Sequence, residues 1–167
     1  MSEPSVRFTL LKSTAVPHGA LSLNDLKALA VYSLTRQKVK GPVELTVDIT
    51  GHKRIQELNR RFRGVDRTTD VISFRNDSAE SRGLSSEFNS ALRAQHSVLS
   101  GDLAINVHQA AIQAKKMRHP LKREMRLLLI HGILHLLGYT DYSPVPRRRM
   151  FKRQNELLRR WERKSPA

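Results

Sequence analysis

VELTVDIT, residues 43–50, decides the class of fold: Val43, Leu45, Val47 and Ile49 alternate with Glu44, Thr46, Asp48 and Thr50. A period of two with β-branched residues on one side is the pattern of a strand with one face against a core. Working outward, VRFTLLKS (6–13) reads as a strand before it, and DVISF (70–74) and DLAINV (102–107) as two strands after it. The spacing between them turns helical. Ser22 is a fitting N-cap for a helix running to about Gln37, with Leu26, Ala28, Leu29, Val31 and Leu34 on its apolar side. Ile55, Leu58 and Phe62 give helical spacing over 52–63, and residues 108–118 continue the alternation of elements. Pro120 suits the first turn of a longer helix that Gly138 ends as its C′ residue. Pro144 and Pro146 mark a turn before a final basic helix at about 146–164.

The order β-α-β-α-β-β-α-α-α predicts an α+β protein: a single domain over residues 1–167 with a small four-stranded mixed sheet covered by helices. Residues 75–99, RNDSAESRGLSSEFNSALRAQHSVL, are polar and aperiodic, and are expected to form a loop insertion. The 30 Lys and Arg against 15 Asp and Glu give a net charge of +15, a field that concentrates polyanions such as nucleic acid. A basic solubility surface or an acidic-membrane binder would carry the same charge. Without cysteine, disulfides and Cys-based zinc ribbons are excluded, and any metal must be held by His, Asp or Glu. The longest apolar run in the C-terminal half, Leu127 to Ile130, is too short to span a bilayer, and the N-terminus has no leader pattern. A soluble protein is expected, cytoplasmic or in an organellar matrix if the host is eukaryotic.

HGILHLLGYTD (131–141) carries the chemistry. Helical residues four apart share a face, so His131 and His135 can chelate one ion from a rigid support. Beyond Gly138 the chain can turn back to offer Asp141. Two nitrogens and a carboxylate leave a fourth position open, the pattern of catalytic zinc. A lone HxxxH arises by chance about 0.3 times in such a chain. The apolar setting, Ile133, Leu134, Leu136 and Leu137, is what makes two histidines there demand partners. Gly132 occupies the position where metalloproteases of the HExxH type place their general base, and a glycine there suits close packing of helix on sheet.

The same segment resembles the HGxLHLxGYDH signature of the YbeY family of metal-dependent rRNA-maturation endoribonucleases. LNRRFRGVDRTTDVISF (58–74) is similar to a second element of that family, approximately LNxxYRGxDxPTDVLSF, and SGDLAI (100–105) to a third, LGDIxI. Met150 and Glu156 fit its last helix, so the resemblance spans residues 58–156. It implies one divalent ion, zinc by preference, on His131, His135 and position 141, and a functional arginine at Arg63. It also implies single-strand-specific cleavage of RNA in rRNA maturation and ribosome quality control, with the ribosomal small subunit as partner. The chain departs from the pattern at Asp141, where the family has His, at Thr68 for Pro, and at Arg75 for the Pro after Phe74. Asp still coordinates zinc, so the site is expected to be retained.

Arg63 stands in a run with Arg60, Arg61 and Arg67, which is either a phosphate contact or a solvated face. Arg147, Arg148 and Arg149 open a second basic stretch, continued by Lys152, Arg153, Arg159, Arg160, Arg163 and Lys164, that suits docking to rRNA phosphates. Its Leu157, Leu158 and Trp161 read as a core-facing stripe. Asp70 and Asp102 could orient the ligand histidines or cap turns. His18, His52, His96, His108 and His119 have no ligand spacing. Besides a ribonuclease, two readings stay open: a non-catalytic ribosome-assembly factor with a structural metal, and a metal-dependent hydrolase of another substrate.

Overall fold

β2 (Val43–Thr50) lies inside the sheet, paired in parallel with β1 (Val6–Lys12) on one side and β4 (Leu99–Asn106) on the other. β3 (Val71–Arg75) runs antiparallel to β4 and completes the order β1-β2-β4-β3. This computed structural model describes residues 3–76 and 99–164, so most of the expected 75–99 insertion lies outside the described residues. The α+β class, the mixed four-stranded sheet and the order of elements all follow the sequence reading. Parallel neighbours need a crossover, and α1 (Leu23–Arg36) supplies it between β1 and β2. α2 (His52–Arg63) follows β2, α3 (Val107–Met117) follows β4, and α4 (Leu121–Leu136) and α5 (Pro144–Lys164) complete the chain.

Several expectations shift. The alternation in β2 anticipates one wet face, yet Thr46, Asp48 and Thr50 are buried along with Val43, Leu45, Val47 and Ile49. An interior strand between parallel partners is covered on both sides, and the Ser13 hydroxyl meets both Asp48 carboxylate oxygens at 2.7 and 2.9 Å. In α1, Ala30 and Ser33 face the core rather than Ala28 and Val31, the Ser33 hydroxyl donating to the Leu29 carbonyl at 2.8 Å. The Ser22 cap is as read, reinforced by Asp25 in a reciprocal capping box. Finally, α5 begins at Pro144 rather than after a turn, both prolines sitting in its first turn, where a missing N–H costs nothing. Leu157 and Leu158 are buried, and Trp161 packs against Tyr32 with ring centroids 5.2 Å apart.

α4 is the element that carries the site, and two glycines set its distance from the sheet. A Cβ on Gly132 would lie 2.7 Å from Leu103 Cδ2, and one on Gly101 would lie 2.6 Å from Leu136 Cδ1. Each glycine thus receives the leucine of the facing element, and helix and strand interlock. β4 starts at Leu99, earlier than the sequence suggested, because Ser100 and Gly101 look like turn residues but pair with Glu44 and Leu45. Gly132→Val is expected to overpack this contact and lower stability by about 2–3 kcal/mol, read as a lower denaturant midpoint. Gly132→Ala should cost less, since the overlapped atom is a leucine methyl and alanine favours the helix by about 1 kcal/mol.

Candidate metal centre

His131 and His135 occupy successive turns of α4, and their Nε2 atoms lie 3.0 Å apart. The helix closes at Leu137, Gly138 takes φ +89°, and the Tyr139 N–H returns to the Leu134 carbonyl at 3.0 Å. Only a residue without Cβ adopts that conformation freely, and it turns the chain back over the helix end. Asp141 arrives there with carboxylate oxygens 3.7 Å from His131 Nε2 and 3.7 Å from His135 Nε2. The Arg147 Nε–H donates to the Asp141 carbonyl at 2.9 Å, tying the turn to the start of α5. The three side chains offer donor atoms within 4.8 Å of one another, all partly buried.

The proton positions test whether a cation fits. The Tyr139 carbonyl is purely an acceptor, so His135 Nδ1, 2.9 Å away, must carry the ring proton. His131 Nδ1 faces the Gln154 Oε1 at 2.8 Å and is held in the same tautomer. Both Nε2 lone pairs then point at one another and at a carboxylate, an arrangement that repels unless a positive charge sits among them. An ion about 2.0–2.2 Å from each donor would separate tetrahedral ligands by about 3.3–3.6 Å, close to the 3.0 Å between the two Nε2 atoms and the 3.7 Å from each to its nearer Asp141 oxygen. Burial, and next the neighbouring His131, push the His135 pKa below the ordinary histidine value. Asp141 and the Tyr139 carbonyl pull it upward, and Arg63 adds a downward push. The ring is therefore neutral at neutral pH, the state a metal ligand requires.

The three donors open onto a cavity of about 130 Å³, which Arg63, Asp70, Ser73 and Tyr142 also line. Arg63 is the last residue of α2, and a left-handed Gly64 ends the helix there, leaving the guanidinium exposed at the cavity. Arg60, Arg61 and Arg67 are exposed and do not line it, and Arg61 stacks on Phe62 at 5.3 Å. Arg147, Arg148 and Arg149 are exposed on α5, where Arg149 lies over the Tyr139 ring at 5.8 Å.

Neither carboxylate proposed as an orienting partner holds a ligand histidine. Asp70 accepts from the Val71 N–H at 2.8 Å, the Thr69 hydroxyl at 3.2 Å and the Gln113 amide at 3.3 Å. It caps the turn into β3 while lining the cavity. Asp102 is buried in β4 and shares a sheet face with Ala104, whereas Leu103 faces α4. Strand alternation turns Asp102 away from the histidines. The orienting contacts come instead from Gln154 and the Tyr139 carbonyl. Gln154 sits in a helix whose sequence is dominated by arginine, and only the tertiary packing of α5 on α4 brings it to His131. Gln154→Ala is expected to free the His131 ring and weaken metal affinity by about 10- to 100-fold with little change in melting temperature, measured by metal titration.

Of the other histidines, His108 is exposed in the first turn of α3, its ring centroid 5.5 Å from that of His52. The buried Asn106 amide bonds His52 at 2.9 Å. His119 pairs with Glu124 at 3.1 Å, and burial raises the Glu124 pKa above the ordinary range. His18 is exposed, and His96 lies outside the described residues.

Residues 18–162 match the family model described as Endoribonuclease YbeY. The protein named Endoribonuclease YbeY from Exiguobacterium sibiricum is 36% identical over 140 residues, 84% of this chain and 86% of that protein. The one from Limosilactobacillus fermentum is 39% identical over 133 residues, covering 79% and 82%. In fold, the chain is similar to the solution structure of TM1509 from Thermotoga maritima, with TM-score 0.58, 22% identity, and coverage of 95% of this chain and 91% of that one.

Proposed function

The chain belongs to the endoribonuclease YbeY family, and from that premise we propose that it is a metal-dependent endoribonuclease specific for single strands, acting in rRNA maturation and ribosome quality control. The observation that carries the reading is the convergence of His131, His135 and Asp141 on a cavity that Arg63 also lines. One divalent ion, zinc by preference, would be held by those three side chains and, when bound, supplies Lewis acidity toward a phosphoryl oxygen. The remaining work falls to the chain's own groups. Gln154 and the Tyr139 carbonyl hold both imidazoles in the Nδ1–H tautomer. Arg63 presents a planar fork that matches two phosphate oxygens and counters the charge that grows on them in the transition state. The net charge of +15 draws RNA in without regard to sequence, and the exposed arginines 147–149 suit docking on small-subunit rRNA phosphates. Protease chemistry of the HExxH kind is disfavoured, since position 132 faces Leu103 and not the cavity. Among the described residues no helix is long and apolar enough to cross a membrane.

Asp141 is where this chain departs from the family's histidine. Asp141→Ala is expected to lose metal affinity sharply, and Asp141→His to keep it, in the same titration. A wild-type affinity in the alanine variant would place the third ligand elsewhere. The function itself is tested by incubating metal-loaded and chelated protein with single-stranded and duplex RNA. Internal cleavage of the single strand only in the loaded sample is the expected result. RNA binding without cleavage in either sample would favour an assembly factor with a structural metal.

A further inference from the structure

A second groove, of about 370 Å³, opens beside the metal cavity and shares Asp70 and His131 with it. Its floor is one stripe of α4, where Glu124, Leu127, Leu128 and His131 follow helical spacing. With a rise of about 1.5 Å per residue, that stripe runs roughly 10 Å away from the metal ligands. Met117 of α3 and Phe151 of α5 form the two walls, 65% and 41% exposed. Phe151 follows the fully buried Met150, so it points away from the core, and its ring centroid lies 6.0 Å from that of His131. Met117 and Phe151 line one groove rather than being scattered singly over the surface, and among the described phenylalanines Phe151 is the exposed one.

We propose that this groove seats an unpaired base of the RNA strand next to the scissile phosphate, stacked on Phe151 and walled by Met117. The proposal rests on the ribonuclease reading above and locates the source of its single-strand selectivity. The groove's place beside the cavity that Arg63 lines, and the chain's net charge of +15, identify the occupant. The groove shares Asp70 and His131 with the cavity that Arg63 lines, and Lys116 joins its lining to meet the backbone of the same strand. An aromatic face between cationic contacts is the arrangement by which single strands are held irrespective of sequence, since every base has a π-face. A base paired within an A-form duplex cannot leave its stack to enter such a slot, so a duplex reaches the basic surface and not the groove.

Binding rather than turnover isolates this from the catalytic reading. Chelated protein is titrated with a short fluorescent unstructured oligoribonucleotide and with its duplex. Wild type should prefer the single strand, and Phe151→Ala should weaken single-strand binding about 5- to 100-fold while leaving duplex binding unchanged. Phe151→Trp should restore the preference, and Met117→Ala, at a still more exposed position, should give a smaller loss in the same direction. Unchanged single-strand affinity in Phe151→Ala, or equal losses for both RNAs, would overturn the proposal and leave the groove to another occupant, such as an apolar side chain of a protein partner. Should metal-loaded wild type fail to cleave RNA, the ribonuclease reading falls, and these affinities still decide whether a base occupies the groove.

Discussion

His135→Ala is expected to abolish metal uptake and to reduce RNA cleavage by more than about 1000-fold, equivalent to a loss of several kcal/mol of transition-state stabilisation. The variant removes one of only two nitrogens, and the remaining pair, His131 and Asp141, stands 3.7 Å apart with no third donor beside it among the described residues. Folding should survive. His135 is partly exposed, and its ring contributes one hydrogen bond, to the Tyr139 carbonyl, which the backbone turn at Gly138 holds independently. The check pairs elemental analysis of the purified variant with a cleavage time course, and a melting curve confirms the fold. A variant that keeps both its ion and its activity would remove His135 from the centre.

Arg63→Ala should give the second largest effect, about 100- to 1000-fold in kcat with a much smaller change in RNA affinity. Arg63 is one of 30 basic side chains in the chain, so its share of the general attraction is small. Its place in the cavity lining, where it also acts on the His135 charge, is what the other arginines of α2 lack. Charge-removing changes at Arg148 or Arg149 should do the reverse, weakening binding and flattening its salt dependence while leaving kcat near wild type. Single-turnover rates at saturating RNA distinguish the two. Full turnover in Arg63→Ala under saturation would reduce that residue to one more phosphate contact.

Much of the fold was legible because local pattern and tertiary demand agree. β2 and α2 carry clean periods of two and of helical spacing, and the structure gives them the bounds read from the sequence. The pattern misled where a residue served packing instead of local preference. Gly101 signals a turn, yet it is glycine because Leu136 occupies the space of its side chain. Pro144 signals a break, yet it opens a helix. The same division runs through the site. His131 and His135 were visible because four residues on a helix is a local relation, and Asp141 because it lies just past the helix end. Gln154 was not, since its contact with His131 bridges 23 positions and depends on how α5 crosses α4. The parity that turns Asp102 from the histidines was present in the strand, but the face taken by α4 only emerges from the glycine–leucine interlock.

The proposed catalysis depends on His131, His135 and Asp141 acting as one cation site, and calorimetric titration of the chelated protein with zinc tests that most directly. One ion per chain is expected, with a proton released into the buffer only when the titration is run below the lowered His135 pKa, and with the uptake lost in His135→Ala and sharply weakened in Asp141→Ala. No uptake by the wild-type protein, or uptake unaffected by either substitution, would contradict it.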